Sequence, residues 1–333
     1  MQIEAEEAGE AHALAFRIAF AAAVGLTLGE VLGWDFPFLP AMLAVQLLAG
    51  GGPISVKQGF GFVAVMVVAS AFAVLVSQLF VDSPLVLLLV ISLLTFLAFL
   101  LIARGQAVGV AATFLITTAV VPLLAIESMS VAYGFIHSLV AGSALAVLLV
   151  FAAHTLFPTR VQGELTSATL REEPASVAIA LANTAVLMSL VIYFMLTVSP
   201  VSIVVVLTVI SILRQPASLG GGTGVGLVLG NLVGGLAATA AYLLVTLLPS
   251  PAFLLLVVLL VGLVLGGRIA RGGEQAPIYT VGLMTFLIVL GLGLSPLPQD
   301  SADIFISRVF DVMVAAVYAI GMASLLRSAF RAL

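Results

Sequence analysis

Cysteine is absent, tryptophan occurs once, and Asp, Glu, Lys and Arg together make up only 8% of the 333 residues. Without cysteine there is no disulfide, no thiolate nucleophile and no iron–sulfur ligation. The scarcity of charge, beside 63% hydrophobic residues and a mean hydropathy of +1.33, excludes a water-soluble domain of this length. A formal charge of −4, with the cations dispersed singly, leaves no basic surface for nucleic acid. The chain has no Gly-x-x-x-x-Gly-Lys-Ser/Thr phosphate loop and no Gly-x-Ser-x-Gly nucleophile elbow. Its three histidines, His12, His137 and His154, stand too far apart for metal-ligand spacing. No enzyme, metal site or cofactor is therefore expected. The start, Met-Gln-Ile-Glu-Ala-Glu-Glu-Ala-Gly-Glu, is acidic where a secretory signal is basic, and is expected to be retained.

What the chain has in abundance is apolar length. Segments bounded by Gly, Pro and charge fall at 13–33, 37–50, 57–80, 84–103, 106–126, 130–157, 176–198, 200–214, 219–248, 251–270, 276–294 and 304–327. Most are near the 20 residues that about 30 Å of hydrocarbon requires. The expectation is an all-α polytopic membrane protein with twelve transmembrane helices. Residues 1–12 form an acidic tail and 158–175 a hydrophilic linker between two six-helix halves, 13–157 and 176–333. With the N-terminus inside, ten of the eleven cations fall on the cytoplasmic side and Arg308 is the exception. Both termini are then cytoplasmic.

The halves carry an internal match at an offset of 167. Ser83-Pro84 falls on Ser250-Pro251, Leu87-Leu88-Leu89-Val90 on Leu254-Leu255-Leu256-Val257, and Ile102-Ala103-Arg104-Gly105 on Ile269-Ala270-Arg271-Gly272. Two halves of six spans each would be repeats of one orientation, the arrangement of many secondary transporters.

Several residues stand out against this apolar background. The second and eighth spans are short and open at proline, Pro37 with Pro40 and Pro200, a combination that marks binding sites in transporters when the backbone unwinds there. Candidate substrate-binding residues are Phe38, Pro40, Met42 and Gln46 from one, and Ser202, Thr208 and Gln215 from the other. Tilted or interfacial helices are the plainer explanation. Gly222, Gly226, Gly230 and Gly234 recur every fourth residue, a strip for close helix packing that also brings Thr223 and Asn231 near any permeation path.

An ionisable group at the bilayer centre costs about 2.5–3.5 kcal/mol on insertion scales, so each is a functional candidate. Arg308 and Asp311, three apart on the last span, form either a self-neutralising pair or a proton-coupling pair. Glu30 and His137 are further proton-coupling candidates, with interfacial and structural roles as the alternatives. Arg104 and Arg271 correspond under the repeat and either mark topology or line a vestibule for anions.

Three stretches resemble the fusaric acid resistance and aromatic acid exporter superfamily: Pro37-Phe38-Leu39-Pro40-Ala41-Met42-Leu43-Ala44, Gly222-Thr223-Gly224-Val225-Gly226, and Ser307-Arg308-Val309-Phe310-Asp311. The short linker is similar to a compact branch lacking the large cytoplasmic domain. The resemblance implies proton-coupled efflux of aromatic or other organic acids across a bacterial inner membrane. It also implies a periplasmic adaptor of the membrane-fusion type and an outer-membrane channel as partners. Rival expectations are a passive organic-anion channel and a membrane scaffold recruiting an adaptor. Self-association is left open.

Overall fold

The structure, a computed structural model, describes residues 2–49, 53–80, 82–105, 108–158, 176–196, 203–214, 221–273, 275–295 and 302–331. Their regular structure is helical throughout: α1 (Gln2–Val31), α2 (Leu39–Ala49), α3 (Val56–Phe80), α4 (Pro84–Ala103), α5 (Val108–Glu127), α6 (Met129–Leu156), α7 (Ser176–Leu196), α8 (Ile203–Leu213), α9 (Gly221–Leu247), α10 (Pro251–Ala270), α11 (Ala276–Leu294) and α12 (Ala302–Arg331). Among the described residues nine helices are long and apolar enough to cross a membrane. The fold is that of a multi-pass membrane protein. Hydrocarbon offers no partner to a free backbone N–H or C=O, so a chain this apolar satisfies those groups inside helices.

Three elements differ in extent from the sequence reading. The acidic stretch placed in a tail is helical from Gln2, because Glu and Ala are strong helix formers and carboxylates near an N-terminus complement the helix dipole. Helices α2 and α8 have 11 residues each, against the 14 or 15 of the expected segments. At 1.5 Å per residue each is about 16 Å long, roughly half the hydrocarbon thickness.

Helices α4 and α10 have 20 residues each and begin and end on matching residues. Pro84 and Pro251 occupy the first helical positions, where the missing N–H leaves no bond unmade. Arg104 and Arg271 are the C-caps, and Gly105 and Gly272 follow at φ +68°, the left-handed conformation that terminates helices at glycine.

The chain divides into two compact units, each drawing helices from both sides of the 158–175 segment. The first is Met1–Val63, His137–Leu165 and Gly220–Met313; it contains α1, α2, α9, α10 and α11, the greater part of α6, and the starts of α3 and α12. Its seams are made by small residues, because between helices in lipid the attraction is van der Waals contact and close approach is what strengthens it. A methyl at Gly262 of α10 would lie 2.9 Å from the Cα of Ala19, and one at Gly266 would lie 3.3 Å from the carbonyl of Ala15. The rising number on one helix meets the falling number on the other, so α1 and α10 pack antiparallel. Helix α9 runs parallel to α11, with Gly226 and Gly230 against Ile278 and Gly234 against Gly282. Helix α6 is antiparallel to α1: Arg17 reaches the Phe157 carbonyl at one end, and Trp34 meets the His137 ring at the other.

The second unit is Ala64–Ile136, Thr166–Leu219 and Val314–Leu333, containing α4, α5, α7, α8 and the remaining parts of α3, α6 and α12. Here α4 packs on α5 and α7, and α8 on α5 and α7. Side chains rather than glycines make the seams. The Thr95 hydroxyl of α4 lies 3.8 Å from the Met188 sulfur of α7, and the Tyr318 hydroxyl of α12 donates to the Val186 carbonyl at 3.1 Å while sharing a hydrogen bond with Ser189.

Because each unit draws helices from both halves, the α1–α10 and α4–α7 seams form only when both halves are present. Residues 1–165 or 166–333 expressed alone should be degraded, and the two expressed together as separate chains should co-purify. Recovery of tagged halves from membranes checks this.

Candidate functional site

The second-span candidates belong to the interior of the first unit. Pro40 sits in the first turn of α2, where proline is tolerated, and its ring nitrogen would lie 3.2 Å from a methyl at Gly142 of α6. A methyl at Gly25 of α1 would lie 2.8 Å from the Cα of Ala41, so α1 and α2 touch backbone to backbone. Phe38 and Met42 are buried, Phe38 edge-on to Phe36 at 6.4 Å and packed on Gly291 of α11. Gln46, one turn further along α2 from Met42, is half-buried and is the polar member of this set.

At the C-terminal end of α1, Glu30 is half-buried, and the chain turns through Gly33 at φ +67° into Trp34 and Asp35. The exposed His137 stands edge-on to Trp34 at 6.2 Å, and Ser295 donates to the Asp35 carbonyl at 2.6 Å. Two of the titratable candidates, Glu30 and His137, are thus brought to one end of this unit. At its opposite end Arg17, 6% exposed, donates through Nε and Nη2 to the Phe157 carbonyl at 2.9 and 2.5 Å. That carbonyl closes α6, so the cation complements the helix dipole as well as filling a bond. The sequence reading assigned Arg17 only a topological role. A helix length of apolar chain separates it from Trp34, and nothing in that spacing announces the partner at Phe157.

The glycine strip of α9 packs on α11. A methyl at Gly230 would meet the Ile278 carbonyl at 2.5 Å, and Gly234 is in contact with the Gly282 carbonyl. Beside this seam, Asn231 is buried, donating to the Leu227 carbonyl at 2.9 Å and accepting from Thr285 at 2.6 Å. Thr223 is helical in backbone, but its side chain lies outside the described residues. The matching spacing Gly262-x-x-x-Gly266 with Ala15-x-x-x-Ala19 makes the α1–α10 seam, and this small-residue signal was open to sequence reading and went unused.

In the second unit, α8 carries polarity at its middle and at its end. Thr208 is 2% exposed, and its hydroxyl has no hydrogen-bond partner. Helical threonines ordinarily bond a carbonyl one turn back, as Thr184 does at 2.8 Å; Thr208 does not, a state that Thr27, Ser70 and Ser138 share in other helices. Asn183 of α7 donates to the Leu213 carbonyl at 3.0 Å, closing the C-terminus of α8. Arg214 follows at once, half-buried. Ser202 and Gln215, the flanking candidates, lie outside the described residues. Arg214 was counted only as a cytoplasmic cation because its burial is a tertiary property.

Asp311 is half-buried on α12 and has an interaction partner, whereas the Arg308 side chain lies outside the described residues. Arg104 and Arg271 are exposed caps. No group of three or more His, Asp or Glu capable of holding a metal occurs among the described residues.

These features define a multi-pass membrane protein with polar groups set into helix seams. Residues 14–153, from within α1 to the last turn of α6, match a family described as protein of unknown function DUF2955. No curated protein and no solved structure matches the chain.

Two glycines separate packing from propensity. Gly234→Ala forces backbone apart and should destabilise by about 1–3 kcal/mol. At Gly267 a methyl meets nothing within 4 Å, so Gly267→Ala should stabilise by about 0.5–1 kcal/mol. Unfolding in mixed micelles by titration with a denaturing detergent measures both.

Proposed function

We propose that this chain is a twelve-span secondary transporter that exports aromatic or other organic anions across a bacterial inner membrane, with proton coupling through Asp311 and Arg308. The observation that carries this reading is α8, a helix of half-membrane length that holds a buried hydroxyl without a partner at Thr208 and is followed directly by the half-buried cation Arg214. Short helices in corresponding places, with a cation at one of them, suit an anion site near the membrane midplane. Glu30 and His137 are secondary coupling candidates, and Arg104 and Arg271 supply cationic ends that would concentrate anions.

Helix directions support twelve crossings. Since α1 and α6 are antiparallel, the end of α1 and the start of α6 lie on one side of the membrane. With α3, α4 and α5 crossing once each, α2 must cross for the chain to return there. The antiparallel packing of α1 with α10 then requires α8 to cross too. Short helices can do so only with their flanking segments, which is where Ser202 and Gln215 stand. The two-repeat reading draws support from the equivalence of contacts: α7 packs on α4 as α1 does on α10, α8 on α5 as α2 on α11, and α4 on α5 as α10 on α11. Each unit then combines the first two helices of one repeat with the third to fifth of the other. The positive-inside count places both termini in the cytoplasm.

Efflux of labelled 4-hydroxybenzoate from proteoliposomes, with and without an imposed pH gradient, tests the reading. The gradient should accelerate flux, and Asp311→Asn should abolish that acceleration. Arg214→Gln should lower flux at least tenfold under both conditions, and Arg214→Lys should restore part of it. Flux that ignores both the gradient and Asp311→Asn would identify a passive anion channel instead.

A further inference from the structure

The seam between α9 and α11 opens on one side into a slot of about 250 Å³. Gly226 and Gly230 line its α9 wall, Ile278 and Gly282 its α11 wall, and the buried Leu265 of α10 lies at the bottom. Leu229 and Val233 flank the opening and are about half exposed, at 52% and 50%, so the slot faces the surroundings of the protein. Its volume is below the range of about 300–1,000 Å³ typical of small-molecule pockets, and its glycine walls are apolar and narrow, which suits a hydrocarbon chain better than a compact ligand.

One end of the slot is different in chemistry. There Gln275 and Tyr279 join the lining, and the Arg268 guanidinium lies over the Tyr279 ring at 5.8 Å from its centroid. This contact holds a cation at the rim. Arg271 is exposed three residues further on; the one acidic residue of the connection, Glu274, lies outside the described residues, and the sequence count over 268–275 is two cations to one acid. This end collects the start of α9, the end of α10 and the start of α11, which the proposed topology puts at the cytoplasmic leaflet, where anionic lipids attract juxtamembrane cations.

We infer that the slot is a binding site for an anionic phospholipid, one acyl chain lying along Gly226 and Gly230 and the phosphate meeting Arg268 and Gln275. Charge decides between this occupant and a second copy of the chain. A two-fold interface sets the same patch against itself, which would bring the Arg268 and Arg271 rims together as like charges, whereas an acidic headgroup neutralises them. The lipid would also bridge α9 and α10 where the glycines leave no side chains to do so.

The test uses the full chain purified in detergent, titrated with phosphatidylglycerol or phosphatidylcholine and read by native mass spectrometry, with no dependence on transport. Wild type should retain phosphatidylglycerol about fivefold better than phosphatidylcholine. Arg268→Gln should bring the two lipids to parity. Val233→Trp, which narrows the opening from an exposed position, should lower retention of both, while Leu89→Trp, on the exposed face of α4, should change neither. Equal retention of the two lipids by wild type, or a preference that survives Arg268→Gln, would overturn the assignment. A dimer mass removed by Val233→Trp would overturn it in favour of a second copy. Should Val233→Trp fail to fold, the Arg268→Gln comparison still decides, because that side chain is exposed.

Discussion

An amide group in hydrocarbon has nowhere to turn but its own helix, and that constraint organises this chain from Gln2 onward. It explains why regular structure is helical throughout the described residues, while Gly105 and Gly272 mark where α4 and α10 stop. It also governs the side chains. Buried hydroxyls such as those of Thr95, Thr117 and Thr184 bond carbonyls one turn back, spending their polarity locally. A group that does not, like Thr208, stands out against that background.

With the backbone satisfied inside each helix, what remains to hold helices together is shape. The two units answer differently. In the first, glycine and alanine let α1 meet α10 and α9 meet α11 at near-backbone distance. In the second, Thr95 with Met188 and Tyr318 with Ser189 and Val186 fill the corresponding seams with longer side chains. Close backbone approach leaves shallow slots beside the glycines, and the one next to Gly226 and Gly230 acquires a cationic rim because α10 ends there in Arg268 and Arg271. Packing economy and lipid recognition thus share the same residues.

The proposed transport reading depends on charge placed where charge is costly. Arg214 sits at the end of a helix half as long as its neighbours, beside an Asn183 that closes the last carbonyl of α8. Arg17 is more deeply buried, but the Phe157 carbonyl occupies its guanidinium in a cap, so the two cations differ in what they have left to offer an anion. Asp311 and Arg308 share one side of α12 by spacing, and a carboxylate next to a guanidinium in that setting can exchange a proton only if the pair separates during a cycle. That is the physical content of coupling in this scheme.

Element order was legible from sequence because helix breakers and apolar length are local: the expected segments and the twelve helices agree within a few residues, α1 excepted, where the acidic stretch extends the helix back to Gln2. The glycine strip of α9 was legible as a packing face, and the same spacing in α10 could have been. Which helices pair was not legible. Core-facing and lipid-facing sides are equally apolar, so no amphipathic stripe points α1 toward α10 rather than toward a neighbour in sequence. The composition by itself determined a membrane-embedded helical chain. Only the tertiary structure decided that each compact unit is assembled from both halves, that Arg17 is spent on a helix end, and that Arg214 is half-buried, because those outcomes rest on complementary surfaces far apart in the chain.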